Sequence, residues 1–219
     1  MNQELEHIIS KVREMYAKYG IKSVTMDDVA RNLGISKKTL YKHVSDKNDL
    51  VDKVIDYEIE QLKKGMSCAE KEKYNAIEEL LIVSKILNSK MKEVNLSTIY
   101  DLRKYYPLQY EKLTKARREK MKESVIKNIK KGQEEGLYRN DLNPSIIARL
   151  QISRVESFID NDIFTIEEMS SEGFFKEVFI YHIRGIANQK GIEFLENRLK
   201  DFDSNEFFNA DMLPNQDKD

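Results

Sequence analysis

The stretch from Thr25 to Leu50 constrains this chain more than any other, because it packs the start and stop signals of two short helices and the start of a third into a few turns. Thr25 is placed to cap the amides of Met26 to Asp28, and Asp28, three positions on, can reach back to complete a capping box. Val24 and Val29 fall at the staple positions around that cap. The helix continues through Ala30 and Leu33 and stops at Gly34, a residue that accepts the left-handed conformation after a helix end. Ser36 then caps a second helix, and Asp46 with Asp49 forms a second capping box at the head of a third.

On the second helix Leu40 and Val44 stand one turn apart and define the inward face. Lys38 and Lys42 then lie near the opposite face, with Thr39 and Tyr41 on its shoulders. A helix of this width fits the major groove of DNA, where lysine can donate to guanine N7 and O6. Lys38 and Lys42 are therefore expected at base edges. Ser36, Lys37, Thr25, Thr39, Tyr41 and His43 are set around them for phosphates, and Lys47 sits in a first helical turn whose free amides suit a phosphate as well.

Residues 5 to 55 resemble the DNA-binding domain of the TetR/AcrR family of bacterial transcriptional regulators. The run Gly-Ile-Ser-Lys-Lys-Thr-Leu-Tyr-Lys-His at 34 to 43, followed by Lys47 and Leu50, follows that family's recognition-helix pattern. Val44 departs from it where a large aromatic is usual, and Lys38 where a small residue is common. The resemblance implies a ligand-responsive regulator, most often a repressor, that binds a palindromic operator on double-stranded DNA as a homodimer. Two rivals stand beside it: a ligandless architectural DNA-binding protein, and a helical small-molecule carrier or interaction protein without DNA binding.

The remainder of the 219 residues reads as helical too. Only 8 Gly and 3 Pro punctuate the chain, and no sustained alternation suggests strands, so the fold class is all-α. We divide it into a helix-turn-helix DNA-binding domain at 1–65, a helical effector-binding and dimerisation bundle at 66–208, and a polar, acidic tail at 209–219 expected to fray. The net charge of -1 excludes a global attraction to DNA, yet five cations (Arg31, Lys37, Lys38, Lys42, Lys47) face one anion, Asp46, between positions 31 and 47. A single cysteine, Cys68, excludes an intramolecular disulfide. The N-terminus lacks a signal core and no stretch is apolar enough for a membrane span, so a cytoplasmic protein with no membrane partner is expected. His7, His43 and His182 are scattered and no zinc spacing, phosphate loop or nucleophile elbow occurs; we expect no catalysis, no metal and no cofactor.

Helices are expected at roughly 73–94, 97–105, 107–135, 144–160 and 171–199, the last broken near Gly191. Pro107 and Pro144 suit first helical positions, and Gly136 a helix stop. On the helix at 73–94, Ser84 and Asn88 interrupt an apolar stripe, and the family resemblance places a ligand pocket along this helix. We therefore assign Ser84 and Asn88 to an unknown small-molecule effector, with Tyr100, Tyr110 and Arg154 as further contacts; an ordinary core with polar partners is the alternative. The same resemblance pairs the last two long helices across a dimer interface, which assigns it Phe158, Phe174, Phe175, Val178, Phe179, His182, Ile183 and Ile186.

Overall fold

A computed structural model of the protein describes residues 3–67, 74–92, 95–160 and 163–201. Cys68 and the tail at 209–219 lie outside them. Among the described residues there are α-helices and a single isolated β-bridge, Tyr138 to Ala187. The helices are α1 (Gln3–Tyr19), α2 (Met26–Leu33), α3 (Lys37–Leu40), α4 (Lys47–Ser67), α5 (Ala76–Lys92), α6 (Leu96–Tyr105), α7 (Pro107–Glu134), α8 (Pro144–Asp160), α9 (Ile166–Ser170), α10 (Glu172–Ile186) and α11 (Gln189–Asp201).

The chain forms two compact units, and neither is continuous in sequence. The first comprises Met1–Gly65 and Glu93–Lys120; the second comprises Met66–Lys92 and Met121–Asp219. The core of the first unit joins Ile9, Val12 and Tyr16 of α1 to Val29, Leu40, Leu50 and Val51, and it takes in Leu102 of α6 and Leu113 of α7. Residues 93–120, which the sequence pattern groups with the C-terminal bundle, therefore complete the N-terminal core. Gly20, with φ of 79°, turns the chain out of α1, and Asp101 of α6 braces that turn by accepting the Lys22 amide at 2.7 Å.

The second unit buries Ala76 and Ile77 of α5, Val125 and Ile129 of α7, Leu137, Tyr138, Ala148 of α8, Phe179 and Ile183 of α10, and Leu195 of α11. Asn128 is buried with them, donating to the Ala76 carbonyl at 2.8 Å and accepting from the Tyr138 hydroxyl at 3.2 Å. Gly136, at φ of 67°, closes α7 as expected, and Asn143 caps α8 through the amides of Ser145 and Ile146.

Three expectations are corrected here. The last helix is two helices, broken at Ala187 and Asn188 rather than at Gly191: Ala187 is extended to pair with Tyr138, and Asn188 accepts the Gly191 amide to start α11. The short α9 adds a helix to the expected set, with Thr165 and Glu168 forming a capping box at its start. Finally, Phe179, Ile183 and Ile186, assigned to a dimer interface, are buried in the core of the second unit.

Candidate nucleic-acid interface

Local chemistry fixes the helix-turn-helix. Thr25 Oγ1 accepts the Asp28 amide at 3.2 Å while Asp28 Oδ2 accepts the Thr25 amide at 2.9 Å, so both arms of the capping box are made. The same Asp28 carboxylate accepts the Thr25 hydroxyl, and these bonds hold its pKa below the usual carboxylate value. Gly34 sits at φ of 66°, where an L side chain is strained, and its amide bonds back into α2. Ser36 Oγ accepts the Thr39 amide at 3.0 Å and starts α3.

The recognition segment is shorter as a regular helix than the sequence pattern suggests. After Leu40 it tightens: the Lys42 and His43 amides reach back only three residues, to Thr39 and Leu40. Leu40 and Val44 are nevertheless both buried, as their spacing requires. Lys38, Tyr41 and Lys42 are consequently exposed, and the two lysines form no ion pair among the described residues. Lys37, by contrast, is tied to Asp27, which turns it away from a free role. Thr39 shares its hydroxyl with Ser36 at 2.8 Å.

Two further predicted contacts are more engaged than their sequence positions show. His43 is half-buried, its Nε2 3.5 Å from Glu4 Oε1 of α1. Lys47 is also half-buried and donates from Nζ to the Lys22 carbonyl at 3.2 Å; burial lowers its pKa, opposed by Asp101 and Asp28. The second capping box is offset by one residue. Asp46 accepts the Asp49 amide at 2.9 Å, but Asp49 reaches the Ser45 amide at 2.8 Å instead of that of Asp46.

The residues assigned to an effector do not fall in one unit. Tyr100 is exposed on α6 and accepts from Lys104 at 2.7 Å; Tyr110 packs on the first core beneath the Arg103 guanidinium, 5.6 Å from its ring. Ser84 and Arg154 are half-buried in the second unit, and the Asn88 side chain lies outside the described residues. Arg154 donates to Gln151, but its Nε is buried with no acceptor among the described residues. Beside it, burial and then the Arg154 charge press the His182 pKa down to about 4. Sequence reasoning missed Lys85, which is 8% exposed on α5 and has its pKa lowered by burial alone.

Of the residues assigned to dimerisation, Phe174, Phe175, Val178 and His182 are half-buried, and the Phe158 side chain lies outside the described residues. Ile146 and Leu150 of α8, one turn apart, are 47% and 62% exposed, and Tyr181 of α10 is 76% exposed. The sequence pattern favours the longer apolar stripe of α10 and passes over these.

Residues 8–54 match the model of a family described as bacterial regulatory proteins, tetR family. An uncharacterized HTH-type transcriptional regulator of Bacillus subtilis (strain 168), YvaF, is 34% identical over 85 residues, which are 38% of this chain and 45% of that protein. The chain thus aligns with less than half the length of that relative. Among solved structures, a transcriptional regulator from Cytophaga hutchinsonii superposes with a TM-score of 0.69 at 20% identity, covering 85% of this chain and all of the other. The ketosteroid transcriptional regulator KstR2 of Mycobacterium tuberculosis superposes with a TM-score of 0.53 at 17% identity, over 86% of this chain and 97% of the other.

Proposed function

We propose that this chain, whose residues 8–54 match the tetR family of bacterial regulatory proteins, is a DNA-binding transcriptional regulator that represses transcription by placing Lys38 and Lys42 in the major groove of a palindromic operator, as a homodimer released by a small-molecule effector. The observation that carries the DNA-reading part is the exposed pair Lys38 and Lys42, without an ion pair among the described residues, on a segment pinned by Thr25, Gly34, Ser36 and buried Leu40. A helix held this firmly presents its outer side chains with little entropy left to lose. Thr25, Ser36, Thr39, Tyr41 and Lys47 border that face and are assigned to phosphates. Lys37 and His43 keep this role only by giving up Asp27 and Glu4.

The effector part rests on the second unit. Arg154 buries a donor without an acceptor among the described residues, a costly arrangement that an acidic ligand group would relieve. Ser84 and Asn88 of α5 are proposed as further contacts of that ligand. Such a ligand acts only through its different affinity for the DNA-bound and free forms; a coupling of roughly 1–3 kcal/mol is typical.

The experiment is a binding titration on the DNA upstream of the protein's own gene, against a mixed-sequence duplex of equal length. Lys38→Ala is expected to cost about 1–3 kcal/mol on the selected site and little on the mixed duplex. Equal losses on both would remove Lys38 from base reading, and no retention of any duplex at low salt would remove DNA binding itself.

A further inference from the structure

Lysines on this chain commonly meet carboxylates: Lys53 is paired with Asp49, Lys112 with Asp52 and Asp56, and Lys131 with Glu79. Among the described residues of the first unit, Lys38 and Lys42 do not, and neither does a second group. Lys22 Nζ lies 4.7 Å from the centre of the Tyr105 ring and donates to its hydroxyl at 3.0 Å. Lys104 Nζ lies 5.1 Å from the Tyr100 ring and 5.4 Å from that of Tyr105. Lys18 stands over Tyr19 at 5.0 Å. Among the described residues none of the three has a carboxylate within ion-pair distance.

Tyr19, Tyr100 and Lys22 also border an open cleft of about 390 Å³, with Ser23, Ser97 and Asp101. Asp101 is buried and spends one oxygen on the Lys22 amide, so the carboxylate braces the turn from within while the ammonium groups remain outside. An ammonium bonded to a tyrosine hydroxyl keeps further hydrogens open to another acceptor, and lysines that neutralise phosphates are what binds a duplex backbone without regard to sequence. The place of the patch supports the same partner. Lys22 belongs to the turn that delivers Thr25 to the head of α2, and its carbonyl holds Lys47 in the first turn of α4. The patch is therefore continuous with the elements assigned to DNA.

We propose that Lys18, Lys22 and Lys104 form a second phosphate-binding surface, which takes the backbone of double-stranded DNA beyond the groove segment faced by Lys38 and Lys42. This rests on the DNA-reading function proposed above and adds to it a sequence-independent grip. The tyrosines hold the lysines extended until phosphates replace the hydroxyl contacts.

The test uses the full chain and a mixed-sequence duplex of about 30 base pairs, long enough for two half-sites with flanks. Affinity is measured across a salt series for the parent, for the double variant Lys22→Gln with Lys104→Gln, for the Arg double variant at the same positions, and for Lys112→Gln. Each phosphate contact contributes about 0.9 to the salt slope, so the Gln double variant is expected to flatten it by about two units. The affinity lost between roughly 50 and 200 mM salt then shrinks about tenfold. The Arg variant and Lys112→Gln are expected to keep the parental slope. An unchanged slope in the Gln variant overturns the proposal, and so does a weaker affinity with an unchanged slope. A parent that binds no duplex defeats the DNA-reading function itself, whereas a binding parent with an indifferent Gln variant defeats this surface alone.

Discussion

At His182 the fold keeps an imidazole neutral by burying it beside Arg154, which moves its pKa from 6.5 down to about 4. A base whose folded pKa is depressed binds fewer protons than the unfolded chain between those two values, so stability rises with pH through that window. The stabilising contribution is fully present above about pH 6.5 and is lost as pH falls towards 4, by up to about 3 kcal/mol. Denaturant unfolding at pH 7 and pH 4.5 is expected to show a smaller acid loss for His182→Gln than for the parent; equal losses would mean that His182 is already solvated. Individual residues are legible in the sequence wherever their partners are local. Thr25 with Asp28, Ser36 with Thr39 and Gly34 all act within a few positions of themselves. His43 against Glu4, Lys47 on the Lys22 carbonyl and Asn128 between Ala76 and Tyr138 depend on chain brought from elsewhere, and no spacing rule announces them.

The element most sensitive to one atom is the end of α7. The Leu137 amide bonds to the Gly132 carbonyl at 2.8 Å as the chain turns through Gly136, and this folds the Tyr138 ring back over Gly132. A Cβ at position 132 would stand 2.1 Å from that fully buried ring. Gly132→Ala is therefore expected to destabilise the protein by about 1–3 kcal/mol or more, although alanine is the better helix former. Thermal unfolding checks it, and a variant as stable as the parent would show that Tyr138 can move aside. Helix ends marked by caps and prolines, such as Asn143 with Pro144, are readable in the residues themselves. The break between α10 and α11 is not, because the extended backbone of Ala187 is set by Tyr138, a residue far away in sequence. Gly191, which has the look of a breaker, is instead a close-packing position: a Cβ there would lie 2.2 Å from the Leu137 carbonyl oxygen.

For the whole molecule, burial within the chain points a self-association proposal at other residues. Ile146 and Leu150 on α8 and Tyr181 on α10 are exposed apolar groups, whereas Phe179 belongs to the core. If copies pair through these helices, Leu150→Asp is expected to give monomers in sedimentation with unfolding unchanged and operator affinity reduced, because one half-site contributes far less than two. Phe179→Arg would instead unfold the second unit by burying an unpaired charge. A Leu150→Asp protein that stays dimeric places the contact elsewhere. The interleaving of the two units carries a consequence for synthesis. The first unit needs Asp101, Leu102 and Leu113, and its chain ends only at Lys120. A ribosome that has released residues 1–65 has therefore delivered the reading head without the helices that close its core, and must extend the nascent chain by nearly as much again before that head is finished. The order of translation thus delays a competent reading head until the chain through Lys120 has been made.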